Sequence, residues 1–133
     1  MTTSGETKRF LSAVFDGADG LFELLAISKD EEQPVSRLFT DDLDELCAEI
    51  DRVKDDANFY FGVTKKRDKA GTKESAYKIC CFWADLDFKD FAGGEAEARE
   101  RIHVFRFKPS IIINTGGGLH CYWLFKKPMS AIF

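Results

Sequence analysis

At 133 residues, with 44% hydrophobic and 32% charged residues, the chain has room for one ordinary globular domain and little more. Its formal net charge of -4 does not suit a protein that merely coats nucleic acid, and no run of about 18 apolar residues exists to span a membrane. The N-terminus, MTTSGETKRF, lacks the apolar core of a secretory signal, and Cys47, Cys80, Cys81 and Cys121 form no CxxC pair, so reduced thiols in a cytoplasmic protein are expected.

In chain order, GLFELLAIS (20–28) reads as a strand, although Leu21, Phe22, Leu24 and Leu25 also fit helical spacing. KDEEQP turns the chain and VSRLFT (35–40) returns it, which makes an opening hairpin. Thr40 is the expected N-cap of a helix over 41–55, whose apolar stripe is Leu43, Leu46, Cys47, Ile50 and Val53. NFYFGV (58–63) is a short strand. KKRDKAGTKES (65–75) is polar and contains Gly71, so it is placed on the surface as a loop. YKICCFWADLDF (77–88) is apolar on both faces and is expected at the centre of a sheet. Gly93 and Gly94 open a helix, EAEARERIHVF, that Pro109 stops. SIIINT (110–115), a GGG turn (116–118) and LHCYWLFK (119–126) complete a last hairpin. The class expected is α+β, one domain over 1–133 in which an antiparallel sheet is packed by two helices.

Three segments could carry chemistry. Residues i and i+2 of a strand share a face, so Asp85 and Asp87 project together while Leu86 points to the opposite layer. Two like charges at the end of an apolar strand repel, and a hard cation such as Mg²⁺ or Mn²⁺ removes that cost. A strand that simply runs out into solvent is the other reading of the same pair. The second segment is Asn114–Thr115–Gly116–Gly117–Gly118–Leu119–His120, where glycines let backbone N–H groups approach a phosphate and Thr115 and His120 add donors. An ordinary Gly-rich hairpin is its plainer reading. The third is the basic run Lys65, Lys66, Arg67, Lys69 and Lys73, which suits phosphate contact or a solvated loop equally. His103 is read as a helix residue without function.

The order of these segments is more specific than any one of them. FYFGV, WADLDFKDF, a Gly-Gly helix and then PSIIINTGGGLHCYWLF resembles the primase-polymerase domains of phage and plasmid replication proteins, within the archaeo-eukaryotic primase superfamily. The resemblance is close over 58–128 and loose before that. It implies an RRM-like primase core with Asp85 and Asp87 as metal ligands and His120 on the incoming nucleotide's phosphates. Thr115, Gly116, Gly117 and Gly118 would line the nucleotide site, with Arg67 the nearest match, and Lys65 and Lys66 its competitors, for a basic residue that relatives carry after the FGV strand. Lys65, Lys66, Lys69 and Lys73 would then face nucleic acid. The implied reaction is template-directed phosphoryl transfer from nucleoside triphosphates with two Mg²⁺ or Mn²⁺ ions, on single-stranded DNA, beside a helicase domain or protein.

The family's third motif, a later carboxylate, is not found. The chain is therefore expected to be a truncated domain that is catalytically incomplete alone and self-associates through the uncovered edge of its last strand. Two rivals stand beside this reading. One is an RRM-like nucleic-acid-binding module offering Phe59, Phe61 or Trp83 for stacking. The other is an Asp-x-Asp glycosyltransferase, for which residues 1–57 are too short to form a nucleotide-binding half.

Overall fold

The structure is a computed structural model and describes residues 3–131. The elements are α1 (Thr3–Val14), β1 (Phe22–Ser28), β2 (Pro34–Thr40), α2 (Leu43–Val53), β3 (Ala57–Phe61), β4 (Thr64–Lys66), β5 (Ala76–Asp87), α3 (Gly94–Val104), β6 (Ile111–Asn114) and β7 (Gly118–Ser130). The α+β class is borne out. The chain forms two compact units. One takes the chain up to Cys80 and rejoins it at Lys127, and the other is Cys81–Lys126.

In the first unit β1 is the middle of a three-stranded sheet ordered β2-β1-β3, paired antiparallel on both sides. The strand reading of 20–28 is correct. Phe22, Leu24 and Ala26 alternate onto the buried face, and a helix would have no such period-two burial. Leu46, Ile50 and Val53 of α2 are buried at helical spacing. The N-cap of α2 is Asp42, not Thr40, because its side chain accepts from Asp44 N–H at 2.9 Å. Thr40 instead accepts from Asp42 N–H and donates to Glu45.

The sequence reading gave no element before Gly20, yet α1 is a helix that packs on α2. It buries Leu11 and Val14, and Phe15 just beyond it meets Phe22 edge to face at 5.6 Å. The reading of 65–75 as one loop is also revised. Lys65 and Lys66 belong to β4, which pairs antiparallel with the start of β5. The returning chain is tied in by Ala131 N–H donating to Tyr77 O at 2.9 Å.

In the second unit β7 lies between β5 and β6. Ile113 stands opposite His120, and Asn114 opposite Leu119. Its buried residues include Cys81, Ala98 of α3, Leu119, Cys121 and Tyr122. β7 runs to Ser130, past the expected end at 126 and through Pro128. β5 has the central place expected of it, with β4 along its first residues and β7 along it as well. Among the described residues no helix is long and apolar enough to cross a membrane, and the four cysteines form no disulfide, with Cys80, Cys81 and Cys121 buried.

Candidate active site

β5 delivers Asp85 and Asp87 to one face by simple alternation, and Trp83, two residues earlier, shares that face. The two carboxylates are open to water, with side-chain exposures of 69% and 43%. Each already meets a cationic or potentially cationic group: His120 Nε2 lies 3.3 Å from Asp85 Oδ1, and Lys89 Nζ lies 3.4 Å from Asp87 Oδ2. The repulsion expected of the bare pair is thus relieved locally. Sequence reasoning missed Lys89, which lies past the end of β5, where strand alternation no longer says which side chains meet.

The glycine turn is fastened to the end of β5. Phe88 N–H donates to Gly117 O at 2.9 Å, and Thr115 closes the hairpin with its N–H and its hydroxyl, both donated to Gly118 O. Asn114 Oδ1 accepts from Gly116 N–H at 2.8 Å. The three glycines differ in role. Gly116 has φ +93, a conformation that side-chain-bearing residues adopt at a cost. A Cβ on Gly118 would lie 2.5 Å from Leu86 O, so that glycine lets β7 approach β5. Around Gly117, as around Gly116, a Cβ would meet nothing within 4 Å, so this side of the turn is open space although the Gly117 carbonyl is taken by Phe88 N–H.

His120 is half-exposed, and Tyr122, two residues on, is buried on the same face. Burial pushes the Tyr122 phenol up to about 12, and the charges of Cys81 and Asp85 add to that. The second unit therefore brings together Asp85, Asp87, His120 and the Thr115–Gly118 turn.

The comparisons with known proteins bear on this arrangement. No protein-family model and no curated protein matches the sequence. Among solved structures, the AEP domain of the cyanophage S-2L primase-polymerase (PrimPol) superposes with a TM-score of 0.64 at 20% identity. The chain has the fold of a primase-polymerase AEP domain. The match takes in 95% of this chain, which spans 64% of the length of that one.

The basic residues lie in the first unit, and there they separate. Lys65 and Lys66 are buried, at 3% and 8% exposure, and a buried ammonium does not face nucleic acid. Lys65 Nζ sits 3.2 Å from the centre of the Phe22 ring, and burial lowers its pKa. Lys66 Nζ reaches Glu23 at 3.8 Å. Arg67, Lys69 and Lys73 are exposed.

The donor chemistry at Asp85 and Asp87 fits a hard cation, since two accessible carboxylate oxygens project together from a rigid strand. The fit is partial. Among the described residues no group of three or more His, Cys, Asp or Glu converges to hold a metal ion.

Proposed function

We propose that this chain is a nucleotidyltransferase of the primase-polymerase type, acting in phage or plasmid replication, with its two units forming one catalytic domain. The observation that carries this reading is the meeting of Asp85 with His120, at 3.3 Å, beside the glycine turn, within a primase-polymerase fold. Asp85 and Asp87 would hold Mg²⁺ or Mn²⁺. When bound, the metal would supply charge neutralisation on the triphosphate and activation of a 3′-hydroxyl. His120 would donate to a phosphate oxygen, and the open side of the turn at Gly117 would receive the phosphates from the other side. Thr115 donates its hydroxyl to Gly118 O, so its part is to hold the turn's shape and leave a lone pair to water or ligand. Arg67, Lys69 and Lys73 would take the phosphates of single-stranded DNA. The helicase partner remains part of the same proposal; self-association through the edge of the last strand does not, because β7 is paired on both sides, by β5 and by β6.

Thermal unfolding tests the site. Mn²⁺ should raise the melting temperature of the wild type by linkage and should leave Asp87→Asn unmoved. Adding a nucleoside triphosphate should raise it further, except in His120→Ala. Equal metal stabilisation of wild type and the Asp85→Asn/Asp87→Asn pair would remove the assignment. Template-directed incorporation of labelled nucleotide tests the transfer itself, and incorporation that survives the double substitution places the chemistry elsewhere.

A second reading rests on Trp83, which is 49% exposed on the carboxylate face and free to stack on a base. A non-catalytic RRM-like module would bind single strands through it. Oligonucleotide binding that is lost in Trp83→Ala and indifferent to chelation would favour that module.

A further inference from the structure

The face of the second unit opposite Asp85 and Asp87 carries a groove of about 830 Å³. Phe82, Ala84 and Leu86 line it from β5 by the same alternation that sends the carboxylates the other way. Phe105, Phe107 and Trp123 line it from the segment after α3 and from β7. This is not ordinary scatter of apolar side chains on a surface. Phe82 is 67% exposed, Phe107 60% and Phe105 51%, and all three border one concavity.

Charge says what covers it. Arg101 and Lys108 are the charged residues that line the groove, and the run 101–108 carries Arg101, Arg106 and Lys108 without one carboxylate. Glu97 lies 3.9 Å from Arg101, but that arginine's side chain is still 66% exposed. A cationic border on an acidic chain selects an acidic-flanked occupant.

A second copy is the wrong partner. A two-fold interface sets a patch against itself, so Arg101 and Lys108 would face a like-charged border or an apolar groove with no carboxylate to pair them. A single strand of nucleic acid is also a poor fit. It needs a track of phosphate donors, and among the residues that line the groove only Arg101 and Lys108 carry charge. Phe105 meets Trp123 at 5.6 Å and 70°, and Phe82 meets Phe125 at 4.8 Å and 81°. The Trp123 indole N–H is already donated to Phe107 O at 3.0 Å.

We propose that this groove docks an amphipathic polypeptide helix whose apolar stripe is flanked by carboxylates. The stripe would seat between Phe82 and Phe105, and the carboxylates would reach Arg101 and Lys108, in the helix-in-groove mode.

The probes are two synthetic peptides of about four helical turns with the same leucine stripe, one carrying Glu on its other positions and one Lys. Trp123 fluorescence reports docking in a Trp83→Phe background, since the chain has 2 Trp. The Glu peptide should shift Trp123 emission to the blue and bind at least about tenfold tighter than the Lys peptide. Arg101→Glu/Lys108→Glu, at exposed positions, should invert that order, and Phe105→Asp should abolish both signals. Equal affinity for the two peptides, or no shift with either, overturns the proposal. So does a shift produced by a single-stranded oligonucleotide, or a dimer in sedimentation that Phe105→Asp dissolves.

Discussion

At the scale of single residues, what decides the site is which backbone atoms are close. Asp85 and Asp87 could be read as a pair because a strand has period two, and His120 because it follows a glycine turn. Lys89 could not be weighed in the same way, since its reach to Asp87 depends on how the chain leaves β5. The glycines divide likewise. From the sequence they form one triplet, and a bulky residue at Gly117 is the natural way to block a phosphate. The structure sharpens this into a prediction with three arms. Gly118→Ala puts a Cβ 2.5 Å from the Leu86 carbonyl, and backbone on both sides leaves little room to yield. It should cost about 1–3 kcal/mol by overpacking. Gly116→Ala meets no atom but keeps φ +93, and should cost about 1 kcal/mol of strain. Gly117→Ala should leave stability unchanged within about 0.5 kcal/mol, because its Cβ enters open space. It alone should weaken nucleoside triphosphate binding without unfolding anything. Urea titrations of the three variants, with nucleotide affinity measured beside them, check the order.

At the scale of elements, the sequence was legible wherever burial follows a clean period. α2 and β1 are of that kind. α1 is not, because Ser4, Gly5 and Thr7 fill its first turns and its apolar residues, Phe10, Leu11 and Val14, arrive only at its end. Helix formation there owes more to packing on α2 than to propensity. The basic run divides for a related reason. Five cations in a short polar stretch look alike until Phe22 and Glu23, some 40 residues earlier, are brought against two of them, Lys65 and Lys66. Glu23 lies between Lys66 at 3.8 Å and Arg37 at 3.9 Å, and Gly71 packs over that pair. Lys65 can therefore be separated from the residues proposed to touch DNA. Lys65→Met keeps the apolar stem and removes a charge that burial disfavours. Its stability should stay within about 1 kcal/mol of the wild type or rise. Its affinity for a single-stranded oligonucleotide should not move. The triple substitution Arg67→Ala/Lys69→Ala/Lys73→Ala should weaken that affinity and flatten its salt dependence. A Lys65→Met protein that binds DNA less well, at unchanged stability, would return Lys65 to the interface.

For the whole molecule, the sequence read as one domain because no linker or change of composition marks a boundary, while contacts in space gather the chain into two units. The two long strands β5 and β7 carry the chain from one unit to the other, and a strand that continues leaves no trace of a boundary in its pattern. The cores of both units hold weak acids, and these fix how stability responds to alkali. Burial raises the thiols of Cys80 and Cys121, and it raises the Tyr122 phenol to about 12. Unfolded, a thiol loses its proton near pH ~8.5 and a phenol near ~10. Between those values and the raised folded ones, the unfolded chain binds fewer protons than the native one. Stability must then fall as pH rises. Lys65 acts in the opposite sense. Its folded pKa is lowered, so in the window between that value and the unfolded one the unfolded chain holds the extra proton and stability rises with pH. One lysine works against these two thiols, the Cys47 thiol that burial also raises, and a phenol, and the loss should dominate. Tyr122 alone, 5% exposed and raised to about 12, should account for roughly 2–3 kcal/mol of it by the time pH has risen from ~10 through that folded value. Tyr122→Phe tests this without emptying the core. Near pH ~8 the variant should be the less stable or equal, and by pH ~11 the wild type should have lost more than the variant, so the two denaturant midpoints converge or cross. If the two proteins lose stability in parallel from pH ~8 to ~11, the Tyr122 phenol ionises as readily in the folded chain as in the unfolded one, and the low-dielectric packing argued for that face is wrong.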